Sequence, residues 1–253
     1  MPLLVTDAVV LHAFDYLESS RILRLATRDA GVVSVLAKGV RKSKRRFGSA
    51  IDLFAEGTAE LYVKVGRDLH TLGGFDVTRS RPQLALELER FAGASALAEL
   101  VLRFVQGEAH PELYARLVAA LDAVAGAPGE AARTAAIAGA WSLVGELGFS
   151  PALDHCASCH APIAPDEPAM FSHPAGGTLC VRCARQLPGS RNVPARARAS
   201  LRAWLAGEAA GAIGEAEARA HQRLLREFLG EHITDGRPLR AFEAWERDQL
   251  GTA

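Results

Sequence analysis

A chain of 253 residues with 29 Lys and Arg against 29 Asp and Glu carries no formal net charge. A charged fraction of 23% and an apolar fraction of 49% exclude intrinsic disorder. No apolar run approaches the roughly eighteen residues of a membrane helix. Met1 to Tyr16 lacks a basic start, and Asp7 and Asp15 interrupt its apolar residues, so it is a poor secretory signal. The length suits two or three small domains. The zero total hides an asymmetry. Residues 1–80 contain twelve Lys and Arg and nine Asp and Glu; residues 81–253 contain seventeen and twenty. All four lysines fall in the first part.

The first eighty residues read as β structure. Thr6 to Ala13 is the first expected strand. Ser20 to Thr27 and Val32 to Lys38 follow, joined by a short turn ending at Gly31. Ala59, Leu61, Val63 and Val65 alternate with Glu60, Tyr62 and Lys64, the period of a half-buried strand. Gly66-Arg67-Asp68 is a turn, and Leu69 to Val77 the fifth strand. Five short strands suit a small closed barrel, because closure removes exposed edges. An OB-fold is the usual barrel of this size, and an SH3-like barrel is nearly as compatible with the pattern.

Between the third and fourth strands lies Lys38-Gly-Val-Arg41-Lys42-Ser-Lys44-Arg45-Arg46-Phe47. Six positive charges fall within nine residues, and no acid occurs between Asp29 and Asp52. So dense a cluster repels itself, and an anionic partner relieves the repulsion. A solvated loop, or a targeting or membrane patch, would account for a basic run alone. On a small barrel the run points to phosphates. The candidate DNA contacts are Lys38, Arg41, Lys42, Lys44, Arg45 and Arg46, with Lys64 and Arg67 on the same barrel. Phe47 and Tyr62 are candidates for stacking on bases.

After Arg81-Pro82 the period becomes helical. Leu84, Leu88, Phe91, Leu97, Val101 and Phe104 mark one stripe of a long helix, with the apolar residues read as core. Pro111 opens the next helix, with Leu113, Leu117, Leu121 and Val124 facing inward. Ala131 to Leu147 is alanine-rich, allows close packing and is expected at the centre. Helices resume at Pro194, and again from Glu215 to His232. Pro151 to Pro188 is loop-like. The expected division is residues 1–80 as the barrel, 81–150 with 189–253 as a helical domain, and 151–188 as an insertion.

That insertion holds every cysteine: Cys156-x2-Cys159 and Cys180-x2-Cys183. The spacing is that of a zinc ribbon, in which two knuckles close one tetrahedron of thiolates. Disulfides or a redox pair are the rival readings, but a chain of this length needs no disulfide staples. His155, His160 and His173 lie close by and are read as loop histidines, since four thiolates suffice. Four thiolates leave no position for an activated water, so such a metal is structural and not hydrolytic.

Taken together, these segments resemble the RecO family of bacterial recombination mediators. The resemblance rests on Tyr16-Leu-Glu18-Ser19-Ser20-x-Ile22-Leu23-x-Leu25-x-Thr27, then Gly31, then Ala37-Lys38-Gly39-x-Arg41. It continues through Leu147-Gly148-Phe149-x-Pro151-x-Leu153-x-x-Cys156-x-x-Cys159 and Phe171-Ser172-x-x-x-Gly176-Gly177-x-x-Cys180-x-x-Cys183. Leu17 departs from the family's usual glycine, which alters a turn and not a ligand. The family implies an α+β chain: an N-terminal five-stranded OB-fold β-barrel, an α-helical domain and an inserted four-cysteine zinc module. It implies binding of single- and double-stranded DNA, strand annealing, and work in the bacterial cytoplasm at the nucleoid. It also implies partnership with RecR in loading RecA onto strands coated by single-stranded DNA-binding protein.

The tail of that coating protein is short, acidic and apolar and needs a greasy groove with a basic rim. The expected region carries Arg202, Trp204, Arg223 and Arg226, with Leu205, Phe228, Phe242 and Arg240 nearby. An enzyme is disfavoured: the chain has no G-x4-G-K-[ST], H-E-x-x-H or G-x-S-x-G. A zinc-ribbon protein scaffold with an incidental basic loop is the alternative.

Overall fold

The computed structural model describes residues 2–40, 51–105, 107–129, 131–209, 211–232 and 237–247. Five strands open the chain: β1 (Leu3–Tyr16), β2 (Ser20–Thr27), β3 (Gly31–Ala37), β4 (Glu56–Tyr62) and β5 (Leu69–Arg79). They close into a barrel in the order β1-β2-β3-β5-β4. Only the β3–β5 pair is parallel. This is the OB-like arrangement. Ala8, Val10, Leu23, Leu25, Val35 and Leu61 fill the interior. Alternate residues point out, as the period of two requires.

β1 is longer than the expected Thr6 to Ala13. Its first half pairs with β4 and its second with β2, and the register shifts between Val10 and His12. The extra residue bends one strand round two sides of the barrel. β4 is shorter at its end than the alternation suggests. It stops at Tyr62, and Val65 is exposed in the turn instead of facing the core.

The helical body follows, with α1 (Gln83–Leu86), α2 (Leu88–Phe104), α3 (Pro111–Gly126) and α4 (Ala131–Glu146). The expected single long helix is broken at Glu87, which is extended. No glycine or proline marks the break; docking sets it. Leu84 enters the core, and Arg90 turns to donate to the carbonyls of Ala125 and Ala127 at the end of α3. Leu88 and Phe91 are therefore exposed, not core. Leu97 and Val101 are buried as expected.

α4 lies at the centre, buried on nearly every side, with Trp141 fully enclosed. Its small residues permit this. A Cβ on Gly139 would fall 2.6 Å from Ala120, and one on Gly93, in α2, 2.7 Å from Ala136. α6 (Ala195–Leu205) and α7 (Glu215–His232) also pack on it, α8 (Arg240–Arg247) packs on α2, and α5 (Val181–Ala184) belongs to the cysteine module. The carboxylate of Glu99 caps α8 by accepting from the backbone N–H groups of Arg240 and Ala241, both at 2.8 Å. No described helix is long and apolar enough to cross a membrane.

The segment expected to be loop-like carries a small sheet. β6 (Ala169–Ser172) pairs with β7 (Gly177–Leu179) and with β8 (Arg191–Val193), which lies beyond the expected boundary at 188. Leu153, Phe171 and Val193 join the core of the helical body, so the module is anchored in it. The His173 ring and the Arg191 guanidinium both meet Glu227 of α7, at 3.0 and 2.8 Å.

Barrel and body are joined by a buried cation. Arg81 has a side chain only 2% exposed; it contacts Glu56 and Asp122 at 2.7 Å each and donates to the carbonyl of Phe54 at 2.9 Å. Val9, Leu11, Ala26 and Phe54 of the barrel pack into the helical core beside it. Gly31 completes the fit: it has φ +63°, and a Cβ there would collide with the backbone of Glu108.

Two expectations follow. Arg81→Ala leaves Glu56 and Asp122 only the exposed Arg79 as a cation and should cost about 3 kcal/mol, the lower end for a broken buried pair because Asp122 is one-third exposed and keeps that partner. Urea unfolding measures it; an unchanged midpoint contradicts the clamp. The second concerns His221 in α7, buried against the Trp204 ring with both ring nitrogens unpartnered. Burial pulls its pKa down from 6.5 to about 4. The unfolded chain therefore binds the extra proton first. Its stabilising contribution is complete above about pH 6.5 and fades by about 3 kcal/mol as pH falls through 4. His221→Leu should flatten that part of the acid limb in urea midpoints measured from pH 7 to 4.

Candidate metal centre and nucleic-acid face

The Cys156 knuckle is made by backbone. The N–H of His160 donates to the Cys156 carbonyl at 2.9 Å, and the Cys156 N–H to Ala161 at 2.7 Å. His160 takes φ 61° to close the turn. The second knuckle leads into α5, where the Ala184 N–H donates to Cys180 at 2.9 Å. A hydrogen bond from the Ala157 N–H to Thr178 (2.7 Å) ties one knuckle to the strand that carries the other. All four Sγ atoms consequently lie within 4.8 Å of one another.

The sulfurs fit a metal. Ligands about 2.3 Å from a tetrahedral ion sit about 3.8 Å apart, and the Sγ atoms of Cys159 and Cys180 are 3.8 Å apart. All four cysteines are free; a disulfide needs about 2.05 Å. Burial pushes the Cys156 thiol up, but N–H groups of Cys180, Cys159 and Ser158 aimed at its sulfur outweigh this and bring it down to about 6. Cys183, hydrogen-bonded to Cys159 and Cys180 and further disfavoured as an anion by burial, is pushed up to about 12. A set of thiols that share protons in this way releases them to a metal. His155 and His160 face each other at 6.1 Å and are not in the four-sulfur cluster.

The barrel presents a second candidate surface. The body covers the outer positions Val9, Leu11, Ala26 and Val32. Among the described residues, most of the remaining outer positions are half-exposed or exposed. Cross-strand register builds one row on it: Phe14 opposite Ile22, Ile22 opposite Leu36, Leu36 opposite Thr71, and Thr71 opposite Tyr62. A parallel row holds His12, Arg24, Ser34 and Leu69, and borders the body, where Arg24 donates to the Leu102 carbonyl at 3.1 Å. Phe14 is 48% exposed, with its ring 4.2 Å from that of His12. Tyr16 and Tyr62 are exposed too. The Tyr62 ring lies directly over Gly73, where a Cβ would come within 2.7 Å. Burial, then the nearby Arg24, lowers the pKa of His12.

Lys38 is exposed just past β3, one position beyond the Ala37–Arg21 pair. Arg67 is exposed and Lys64 half-buried in the β4–β5 turn, which leads into the Leu69 end of the rows. Arg41, Lys42, Lys44, Arg45, Arg46 and Phe47 lie outside the described residues. His12, Phe14 and Tyr16 are the residues sequence reasoning missed. Their alternation was the signal, but the expected strand stopped at Ala13.

The expected tail-docking region is differently arranged. Trp204 is 1% exposed and, with Phe228 and Phe242, belongs to the core. The helices of Trp204 and Phe228 pack on α4 and that of Phe242 on α2, so none of these three rings remains at the surface for a partner. Arg202 pairs with Asp154 at 2.7 Å, and Arg226 with Glu246 at 2.6 Å. Arg223 is exposed. An open groove of about 1010 Å³ lies elsewhere, between α3, α4 and the stretch 206–218. Its lining includes Ala120, Ala123 and Ala135, with Arg116 and Arg133 outnumbered by Glu87, Glu89, Glu208 and Glu215; Arg133 pairs with Glu89 and Glu215, and Arg116 with Glu146.

Residues 1–81 match the family model described as Recombination protein O N terminal, and residues 85–241 the one described as Recombination protein O C terminal. The chain belongs to the RecO family. DNA repair protein RecO of Anaeromyxobacter sp. (strain K) is 39% identical over 239 residues, 92% of each chain. The RecO protein of Myxococcus xanthus is 32% identical over 241 residues, 94% of each. That of Geobacter sulfurreducens is 36% identical over 183 residues, 71% of this chain and 72% of its own.

The four-sulfur cluster of this RecO-family chain gives a direct expectation. Titrating the reduced, metal-free protein with Co2+ should produce the visible bands of a tetrahedral thiolate centre, saturating at one ion per chain. Protons are released on loading, so affinity weakens as pH falls. Bands of an octahedral oxygen-ligated ion would contradict the assignment.

Proposed function

We propose that this protein is a non-catalytic DNA repair mediator. It binds single- and double-stranded DNA on the open barrel face and the basic run beside it, and anneals complementary strands. With RecR it helps RecA load onto strands coated by single-stranded DNA-binding protein. The observation that carries the DNA reading is the outward row from Phe14 to Tyr62, on the face that the helical body leaves uncovered. Aromatic rings on such a face stack on any base, since every base has a π-face. The cations expected beside it, Lys38, Arg41, Lys42, Lys44, Arg45, Arg46, Lys64 and Arg67, contact phosphates. These contacts position the strand and carry no base readout, so binding is independent of sequence.

Annealing then needs no energy source. Base pairing drives it, and the protein screens phosphate repulsion while holding strands with bases accessible. Annealing and the roles of RecR and RecA come from the family resemblance. The metal is read as one structural Zn2+ on Cys156, Cys159, Cys180 and Cys183, chosen by four soft thiolates in tetrahedral reach. It fixes the knuckle end of a module whose other end is held by Phe171 and Val193 in the body core. The acidic tail of single-stranded DNA-binding protein is assigned to the cations of the Arg202, Arg223 and Arg226 region, with the neighbouring Trp204 and Phe228 rings supporting it from the core.

The two halves of the DNA reading separate by salt. Each phosphate contact on a single strand contributes about −0.7 to the log-log salt slope, so four to six contacts give roughly −3 to −4. Alanines at Arg41, Lys42, Lys44, Arg45 and Arg46 should flatten that slope and slow annealing. Phe14→Ala with Tyr62→Ala should keep the slope but weaken single-strand binding, by about 1–3 kcal/mol per lost stack. Duplex binding, where bases are not free to stack, should change little. Wild-type single-strand affinity in the aromatic variant would remove the face from the DNA path. No DNA binding even at low salt would favour the protein-scaffold reading.

A further inference from the structure

The four cysteines differ in access. Cys156 and Cys183 are buried, Cys180 is half-buried, and Cys159 is exposed. Cys156 is also the most enclosed, and its N–H is fixed on the Ala161 carbonyl at 2.7 Å. A small oxidant therefore meets the Cys159 sulfur first. Beside that sulfur stands Cys180, from the opposite knuckle, at 3.8 Å. Closing that gap to the 2.05 Å of a disulfide requires the two Sγ atoms to approach by less than 2 Å, within reach of side-chain rotation.

We propose that Cys159 and Cys180 form an oxidation site through which peroxides unload the metal, a reading that rests on the zinc assignment above. The Cys159 sulfur attacks one oxygen of hydrogen peroxide. The O–O bond breaks, hydroxide leaves, and Cys159 becomes a sulfenic acid. The Cys180 thiolate then attacks the Cys159 sulfur, the S–O bond breaks, and a second hydroxide leaves as the S–S bond forms. Two thiolates lose two electrons to one peroxide, and the two hydroxides take up two protons as water. The ion keeps only Cys156 and Cys183, too few ligands to hold it tightly. The bridge spans the two knuckles, which the Ala157–Thr178 hydrogen bond already holds together, and the sheet stays anchored through Phe171. The module thus survives unloading, and a dithiol reductant restores the site.

The test uses full-length zinc-loaded protein with hydrogen peroxide and a zinc-sensitive dye, followed by peptide mapping without reduction. The expected result is loss of the bound zinc in step with a Cys159–Cys180 disulfide, and re-uptake of zinc after dithiothreitol. A second measurement needs no variant: iodoacetamide on the zinc-loaded protein should modify Cys159 before the other three. Zinc retained after the peroxide is consumed, a first disulfide between Cys156 and Cys159, or first alkylation at a buried cysteine would each overturn the proposal and leave the zinc reading intact. Protein purified under reducing conditions without any bound zinc would overturn both.

Discussion

The buried guanidinium of Arg81 sets what the rest of the molecule can do. It joins Glu56 and the Phe54 carbonyl of the barrel to Asp122 of the helical body. A charge taken out of water is tolerated only when paired and hydrogen-bonded on all sides, so this contact fixes one docking geometry. In that geometry Val9, Leu11 and Ala26 face the body, and the Phe14–Tyr62 row faces solvent. A small barrel has little outside to spare. Burying one side decides which side meets a ligand.

The same economy appears in the helical body. α4 is apolar and small on all sides, so α2, α3, α6 and α7 can close round it. That closure takes Trp204 and Phe228 inside. It leaves the wide groove beside α3 and α4, where alanines form a shallow floor. The cysteine module attaches to this body through apolar anchors and the Glu227 contacts, with its four sulfurs at the far, more accessible end. Stability in the module is therefore divided between packing at one end and metal ligation at the other.

Much of this was legible in the sequence, for reasons that differ by element. The cysteine spacing carries its own geometry, because C-x2-C closes a knuckle wherever it occurs. The barrel strands were legible because period two is a local property, although alternation cannot say where pairing stops; hence Val65. The break at Glu87 was not legible, since no residue there resists a helix and the cause lies in Leu84 and Arg90 contacts far along the chain. Whether Trp204 would be core or surface was not legible for a related reason. An apolar stripe shows that a helix buries one face, not whether its partner is the same chain. The aromatic alternation of His12, Phe14 and Tyr16 is plain in the sequence, yet its outward direction depends on the shift after Val10.

The central claim is that single-stranded DNA runs across the open barrel face. Ultraviolet cross-linking of the full-length protein to an oligothymidylate, with the adducts mapped to residues, tests it most directly. The account predicts adducts on Phe14, Tyr16 and Tyr62. Adducts confined to the helical body, with none on β1 or β4, would contradict it.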